Sequence, residues 1–229
     1  TAKVSFEDCD PVIQTRFRIG DAAAAALAAG AVAADDIWRL RNGEGQAQQI
    51  SVDRRLAVAS LSSYKFLRVE DGPQFSIDYN RPTSKFYRCR DGRFLHLQGS
   101  FPHLRDGTLE LLQCDDTIED VGAKIAQRES FDLEEALFER GLCGAVIRSA
   151  DEWIEHPQGK ATGKVPVIEV IKIAEGDPQP LPAAARPLDG VRILDLTRVL
   201  AGPVSARTMA AHGADVLHVR SPNLPSFDY

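Results

Sequence analysis

The chain has 229 residues, 44% hydrophobic and 26% charged, with a formal charge of -6. That composition supports a real core in one or two globular domains and excludes disorder as the governing state. The scattered basic residues leave no electrostatic footprint for nucleic acid or an anionic membrane, and no run approaches the roughly 18 consecutive apolar residues of a membrane span.

Residues up to about Ile19 read as irregular, and the start Thr1-Ala2-Lys3-Val4 lacks the regions of a signal peptide, so a cytoplasmic location is expected. Without an initiator Met, Thr1 need not be the natural start. Asp21 then opens an Ala-dense segment through Leu27 and Ala31 to Leu40, ending at Asn42-Gly43. Asp at the start, alanines throughout and Gly past the end are helix start and stop signals. The side chains are small or apolar nearly all round until Asp35 and Asp36, which predicts a helix packed on several sides. A turn at 42–46 leads into the alternating Gln49-Ile50-Ser51-Val52-Asp53, a short strand, followed by a helix over 54–67.

A polar connector spans 70–85, carrying Asp71-Gly72-Pro73 and Asn80-Arg81-Pro82. The pattern then becomes compact α+β. Residues 85–89 and 93–98 flank Arg90-Asp91-Gly92 as a β-hairpin. Helical patterns follow at 103–112, 118–127 and 132–140, a strand at 141–147, a short helix at 150–155 closed by His156-Pro157, and a strand over 165–173 that is nearly continuous in β-branched residues. A Pro- and Ala-rich linker covers 176–186.

From Pro187 onward an apolar run, the turn Gly202-Pro203, a small-residue helix, Gly213 and a second apolar run, Val216 to Val219, make a β-α-β opening. The faces of such a unit must be covered, and little sequence remains before Tyr229, so either more polypeptide or a partner is expected to complete it. The organisation is therefore 1–69, a helical part of a large domain; 70–175, a small α/β domain; 176–186, the linker; and 187–229, an incomplete strand-loop-helix domain.

In this order the motifs resemble the family III CoA-transferases, the group of formyl-CoA and carnitine CoA-transferases and α-methylacyl-CoA racemases. The match rests on 187–219 with its Val199-Leu200-Ala201-Gly202-Pro203 loop, on Ile19-Gly20-Asp21 before an apolar helix, on Gly43-Glu44-Gly45-Gln46 with Ile50-Ser51-Val52, and on Gly141 to Val165. The segment at 187–219 opens the protein in that family but comes last here, as a tandem or rearranged copy would have it. The resemblance implies an α/β fold, a Rossmann-like large domain with a smaller α+β domain, and two interlocked rings forming a homodimer, or a second repeat in its place.

It also implies chemistry. Asp21 takes the position of the nucleophile that attacks a thioester, passes through an anhydride and carries CoA as an aspartyl thioester to another carboxylic acid. A helix N-terminus favours such a carboxylate, although Asp is equally a preferred N-cap. Five alanines follow Asp21 where the family usually has Gly, Asn or Ser. In the racemase alternative an Asp works with a His at the carbon beside the thioester, and in a third reading this segment is a non-catalytic half that completes the fold of an active one. Arg198, Val199, Leu200, Ala201 and Gly202 are the expected CoA-binding residues, presenting backbone N–H groups and an apolar cradle, with Arg198 and Arg207 available to phosphates. CoA is then a substrate, and no covalently bound cofactor is implied. Arg220 stands where the family usually has Glu, and His218 reads as a solvated strand residue. Cys9, Cys89, Cys114 and Cys143 lie far apart, fitting neither a disulfide framework nor zinc. His96, His103, His156 and His212 have no ligand spacing, so no metal is expected.

Overall fold

The computed structural model describes residues 2–7, 12–43, 45, 47–66, 68, 70 and 80–221. Cys9, Glu44 and Gln46 of the glycine-rich turn, Leu67, Asp71-Gly72-Pro73 and the tail after Ser221 lie outside the described residues. The chain divides into two units, Thr1–Ser76 with Gly176–Tyr229, and Ile77–Glu175.

The first unit begins with β1 (Lys3–Glu7), α1 (Ile19–Asn42), β2 (Gln49–Asp53) and α2 (Arg54–Ser60). β1 and β2 pair in parallel, Lys3 opposite Gln49 through Glu7 opposite Asp53. The start of the chain, expected to be irregular, is thus a strand. Its Val4 and Phe6 alternate with polar residues, and pairing with the distant β2 supplies the ladder that local signals do not reveal. Ala23, Ala24 and Ala28 of α1 pack with Val52 and Ala57 into a core of small side chains, joined by Ile50. Alanine suits this helix because it lets neighbouring backbones approach closely at no side-chain entropy cost. α2 is shorter than the expected 54–67 helix; it gives way to a 3-10 turn over Ser63–Phe66. Asp53 caps it, accepting from Arg55 N at 2.7 Å and Leu56 N at 3.3 Å.

The remainder of this unit is the expected strand-helix-strand. β6 (Arg192–Asp195), α8 (Ala201–Ala211) and β7 (Asp215–His218) form a parallel pair with a helical crossover, Arg192 opposite Asp215. The polypeptide before β6 is fastened to the end of α1. Buried Arg41 donates from Nε to Pro182 O at 2.9 Å and from Nη1 to Pro187 O at 2.8 Å.

In the second unit β3 (Phe86–Arg88), β4 (Phe94–Leu97) and β5 (Gly144–Val146) form an antiparallel sheet in that order. The hairpin turns at Gly92, whose φ of 83° is in the left-handed region that Gly adopts without a Cβ penalty. α3 (Pro102–Leu112), α4 (Ile118–Ile125) and α5 (Ser130–Glu139) cover it. Leu95, Leu97, Val121, Ile125, Leu133 and Leu137 are wholly buried at its centre. α6 (Ala150–Glu155) carries a capping box, Ser149 with Glu152.

α6 ends at Glu155 with His156 as its C-cap, as expected, but a further helix not expected there, α7 (Pro157–Thr162), follows at once, because Pro fits a first helical position and His156 Nδ1 accepts from Gln158 N at 3.1 Å. The run 165–173 is not a strand; among the described residues it joins no ladder, and Val167 and Val170 are fully exposed. β-branching favours a pleated surface only where neighbouring strands pack against it. Among the described residues no helix is long and apolar enough to cross a membrane, and no group of three His, Cys, Asp or Glu could hold a metal ion.

Candidate functional site

The loop between β6 and α8 is fixed from below. Asp195 is buried, and its Oδ1 accepts from Thr197 N at 2.8 Å and Thr197 Oγ1 at 2.6 Å; these bonds hold its carboxyl below the usual range. A Cβ on Gly202 would run into the Thr197 side chain, so the helix can start this close to the strand only with Gly at that position. Val199 has a φ of 71°, in the left-handed region that β-branched residues avoid. Strain of this kind persists where surrounding structure enforces it, and it concentrates at ligand sites. α8 opens at Leu200 without a side-chain cap, leaving first-turn N–H groups available to an anionic or polar ligand.

Arg198, Val199, Leu200 and Ala201 line one cleft of about 620 Å³ together with Ala23 and Leu27 of α1. The size is within the range of small-molecule sites. Arg207 lies on the same wall and donates to Ser63 Oγ at 3.2 Å. Among the described residues no carboxylate lines the cleft, and the charges facing it there are guanidinium groups. Gly202 is not on the wall; it packs behind it, on Thr197. His218, an exposed residue of β7 as expected, also lines the cleft, with Nδ1 3.8 Å from Asp195 Oδ2. The parallel register that sets Asp195 opposite His218 makes this pair, and no local sequence signal announces it.

Asp21 sits in the first turn of α1, in a hollow of about 350 Å³ walled by residues 12, 13 and 15–21. It is the third helical residue and not the N-cap, which is Arg18. Its oxygens bind guanidinium groups instead of the helix's own N–H groups: Arg18 Nη2 lies 2.5 Å from Oδ2 and Arg54 Nε 3.2 Å from Oδ1. The side chain is 26% exposed, so it is neither sealed in a dry interface nor fully solvated. Asp21 and Ala23 are two residues apart, about 3 Å along the helix axis. The carboxylate and the cleft are therefore held by the same two turns of α1, although Asp21 does not itself line the cleft. Arg54 has no motif to announce it; only the return of β2 beside α1 brings it to Asp21.

Among similar proteins, acetyl-coenzyme A transferase nodX of Hypoxylon pulicicidum is 32% identical over 165 residues, covering 62% of this chain and 27% of that protein. Succinyl-CoA:glutarate CoA-transferase of Mus musculus is 51% identical over 47 residues, 20% of this chain and 11% of that protein. The crystal structure of the hypothetical protein Rv3272 of Mycobacterium tuberculosis superposes with a TM-score of 0.53 at 15% identity, covering 71% of this chain and 50% of that one, which is a likeness of fold. The chain spans about a quarter of the length of nodX and half that of the solved structure. The sequence profile of CoA-transferase family III matches residues 2–184 and 188–226, nearly the whole of the sequence, and the chain belongs to that family.

Proposed function

We propose that this chain contributes to an enzyme moving CoA from an acyl-CoA to a carboxylic acid, with Asp21 as nucleophile and the cleft at Arg198, Val199, Leu200 and Ala201, backed by Gly202, as the CoA site. The observation that carries the reading is that α1 holds both features in its first two turns, a part-exposed carboxylate and one wall of an apolar cleft whose formal charges, among the described residues, are cationic. Such a cleft suits a ligand with an apolar body and phosphate groups. The Asp21 carboxylate attacks the thioester carbonyl and thiolate leaves; thiolate then attacks the aspartyl carbonyl of the anhydride and displaces the acyl carboxylate, leaving CoA on Asp21. The acceptor acid reverses both steps. Each intermediate is an activated acyl group, so neither transfer faces a stable ester or amide. The names of similar proteins, an acetyl-coenzyme A transferase and a succinyl-CoA:glutarate CoA-transferase, favour transfer over racemisation. The remaining parts of the proposal are CoA as substrate without a covalently bound cofactor, a cytoplasmic setting, and a homodimer or second repeat that completes the sheets.

The test is the full-length protein with succinyl-CoA, quenched with hydroxylamine and mapped by mass spectrometry. A hydroxamate at Asp21 is expected, and Asp21→Asn should lower transfer to glutarate or acetate by more than about 10³-fold. Unchanged turnover in that variant overturns the assignment and leaves this segment a non-catalytic half.

A further inference from the structure

The two guanidinium groups on Asp21 are not equivalent. Arg18 reaches Oδ2 from the preceding turn of chain with a side chain 86% exposed, so the pair is screened and easily opened. Arg54 reaches Oδ1 at 3.2 Å with a side chain only 21% exposed. It starts α2, directly after β2, and lies 5.9 Å from the centre of the Phe6 ring of β1, so the paired strands on one side and the cation-π contact on the other fix its position. Oδ1 is thus in ion-pair contact with a group that the fold fixes in place, whereas Oδ2, to which Arg18 Nε donates at 2.6 Å, is held by a group that can move aside into water.

Resting on the reading of Asp21 as nucleophile, we propose that Arg54 is a catalytic residue, the oxyanion-stabilising group of the aspartyl-CoA steps, with Oδ2 the attacking oxygen and Oδ1 the oxygen that stays on Arg54. When Oδ2 bonds to the thioester carbon and the C–S bond breaks, the thiolate takes the electron pair and Oδ1 becomes the carbonyl oxygen of the aspartyl half of the anhydride. Thiolate attack on Cγ then forms the C–S bond and moves the carbonyl electron pair onto Oδ1. Collapse breaks the Cγ–Oδ2 bond and releases the acyl carboxylate, which carries Oδ2 away. The Arg54 guanidinium lies beside Oδ1 before the reaction begins, Nε 3.2 Å away in ion-pair contact rather than a hydrogen bond, and a fixed positive charge next to the oxygen on which charge appears lowers the barrier. An arginine suits the position because its charge persists at any working pH and its plane can rest on an aromatic ring.

The experiment uses the full-length protein with Arg54→Leu and Arg54→Lys, with folding checked by circular dichroism, and follows the Asp21–CoA adduct by peptide mass after mixing with succinyl-CoA or acetyl-CoA. Arg54→Leu is expected to slow adduct formation by 10²- to 10³-fold while the KM for acyl-CoA changes less than about threefold. Arg54→Lys should retain at least a tenth of the rate, and added guanidinium ion should restore part of it to the Leu variant. After turnover with an ¹⁸O-labelled acceptor acid, the bridging oxygen of the anhydride stays on Asp21, and a following single turnover with unlabelled acyl-CoA should pass that label to the released acid. An adduct that forms at the original rate in Arg54→Leu overturns the role of Arg54 and leaves Asp21 as nucleophile. Failure of the unaltered protein to form any adduct at Asp21 with either donor overturns both.

Discussion

Asp21 illustrates how a single side chain changes meaning once its neighbours are known. A carboxylate near a helix start can satisfy N–H groups or serve a ligand, and the two uses compete for the same lone pairs. Here Arg18 and Arg54 occupy it, and the helix starts two residues earlier than the Asp would signal. Glu152 shows the same competition resolved for structure. The Arg93 guanidinium beside it, together with the Ser149 N–H, holds its carboxyl down to about 2 from 4.5. A carboxyl lower in the folded than in the unfolded state contributes stability above the unfolded value, and that contribution is lost as pH falls toward the folded value. Thermal unfolding followed by circular dichroism should therefore show a loss between pH 4.5 and about 2 to which Glu152 contributes. The Glu152→Gln variant should be less stable at neutral pH and have a shallower acid limb. An acid limb identical to that of the unaltered protein would show that the Arg93 pair does not persist in solution.

At the scale of the element, α8 depends on one missing side chain. Gly202→Ala places a methyl against Thr197, and Thr197 in turn holds Asp195. The start of α8 and the strained Val199 should shift together, so the variant is expected to bind CoA at least about tenfold more weakly, roughly 1.4 kcal/mol, by titration calorimetry. Affinity equal to that of the unaltered protein would mean that CoA does not contact this loop. Much of this element was legible beforehand: Gly202-Pro203, Gly213 and the two apolar runs are local signals, and the strand-helix-strand formed where they indicated. β1 and α7 were not. β1 depends on a partner 46 residues away in register, Lys3 with Gln49, and α7 depends on His156, which ends α6 and also caps the start of the next helix. The run at 165–173 errs the other way, since β-branched residues report a preference for strand without supplying the neighbouring strand that would complete one.

For the whole molecule, each unit has its own buried cluster, one built on alanines and the other mainly on leucines. A cavity in one should then be felt mainly within it. Leu133 is wholly buried in the second cluster, and Leu133→Ala is expected to cost about 2–5 kcal/mol there. Hydrogen exchange should show lost protection in α3, α4 and α5 with that of α1 unchanged. Equal loss in α1 would show that the two clusters unfold as one.

The sequence alone determined the helix-forming alanine segment, the hairpin at Asp91-Gly92, the closing strand-helix-strand and, through the motifs on them, the family. These features arise from contacts within a few residues, where propensity, turn chemistry and periodicity act directly. Only the tertiary structure decided that Arg54 meets Asp21, that His218 stands beside Asp195 on a cleft wall, and that Arg41 fastens the polypeptide ahead of β6. Those pairs join residues far apart in sequence, and their meeting is set by strand register and helix crossing, which local preference does not encode.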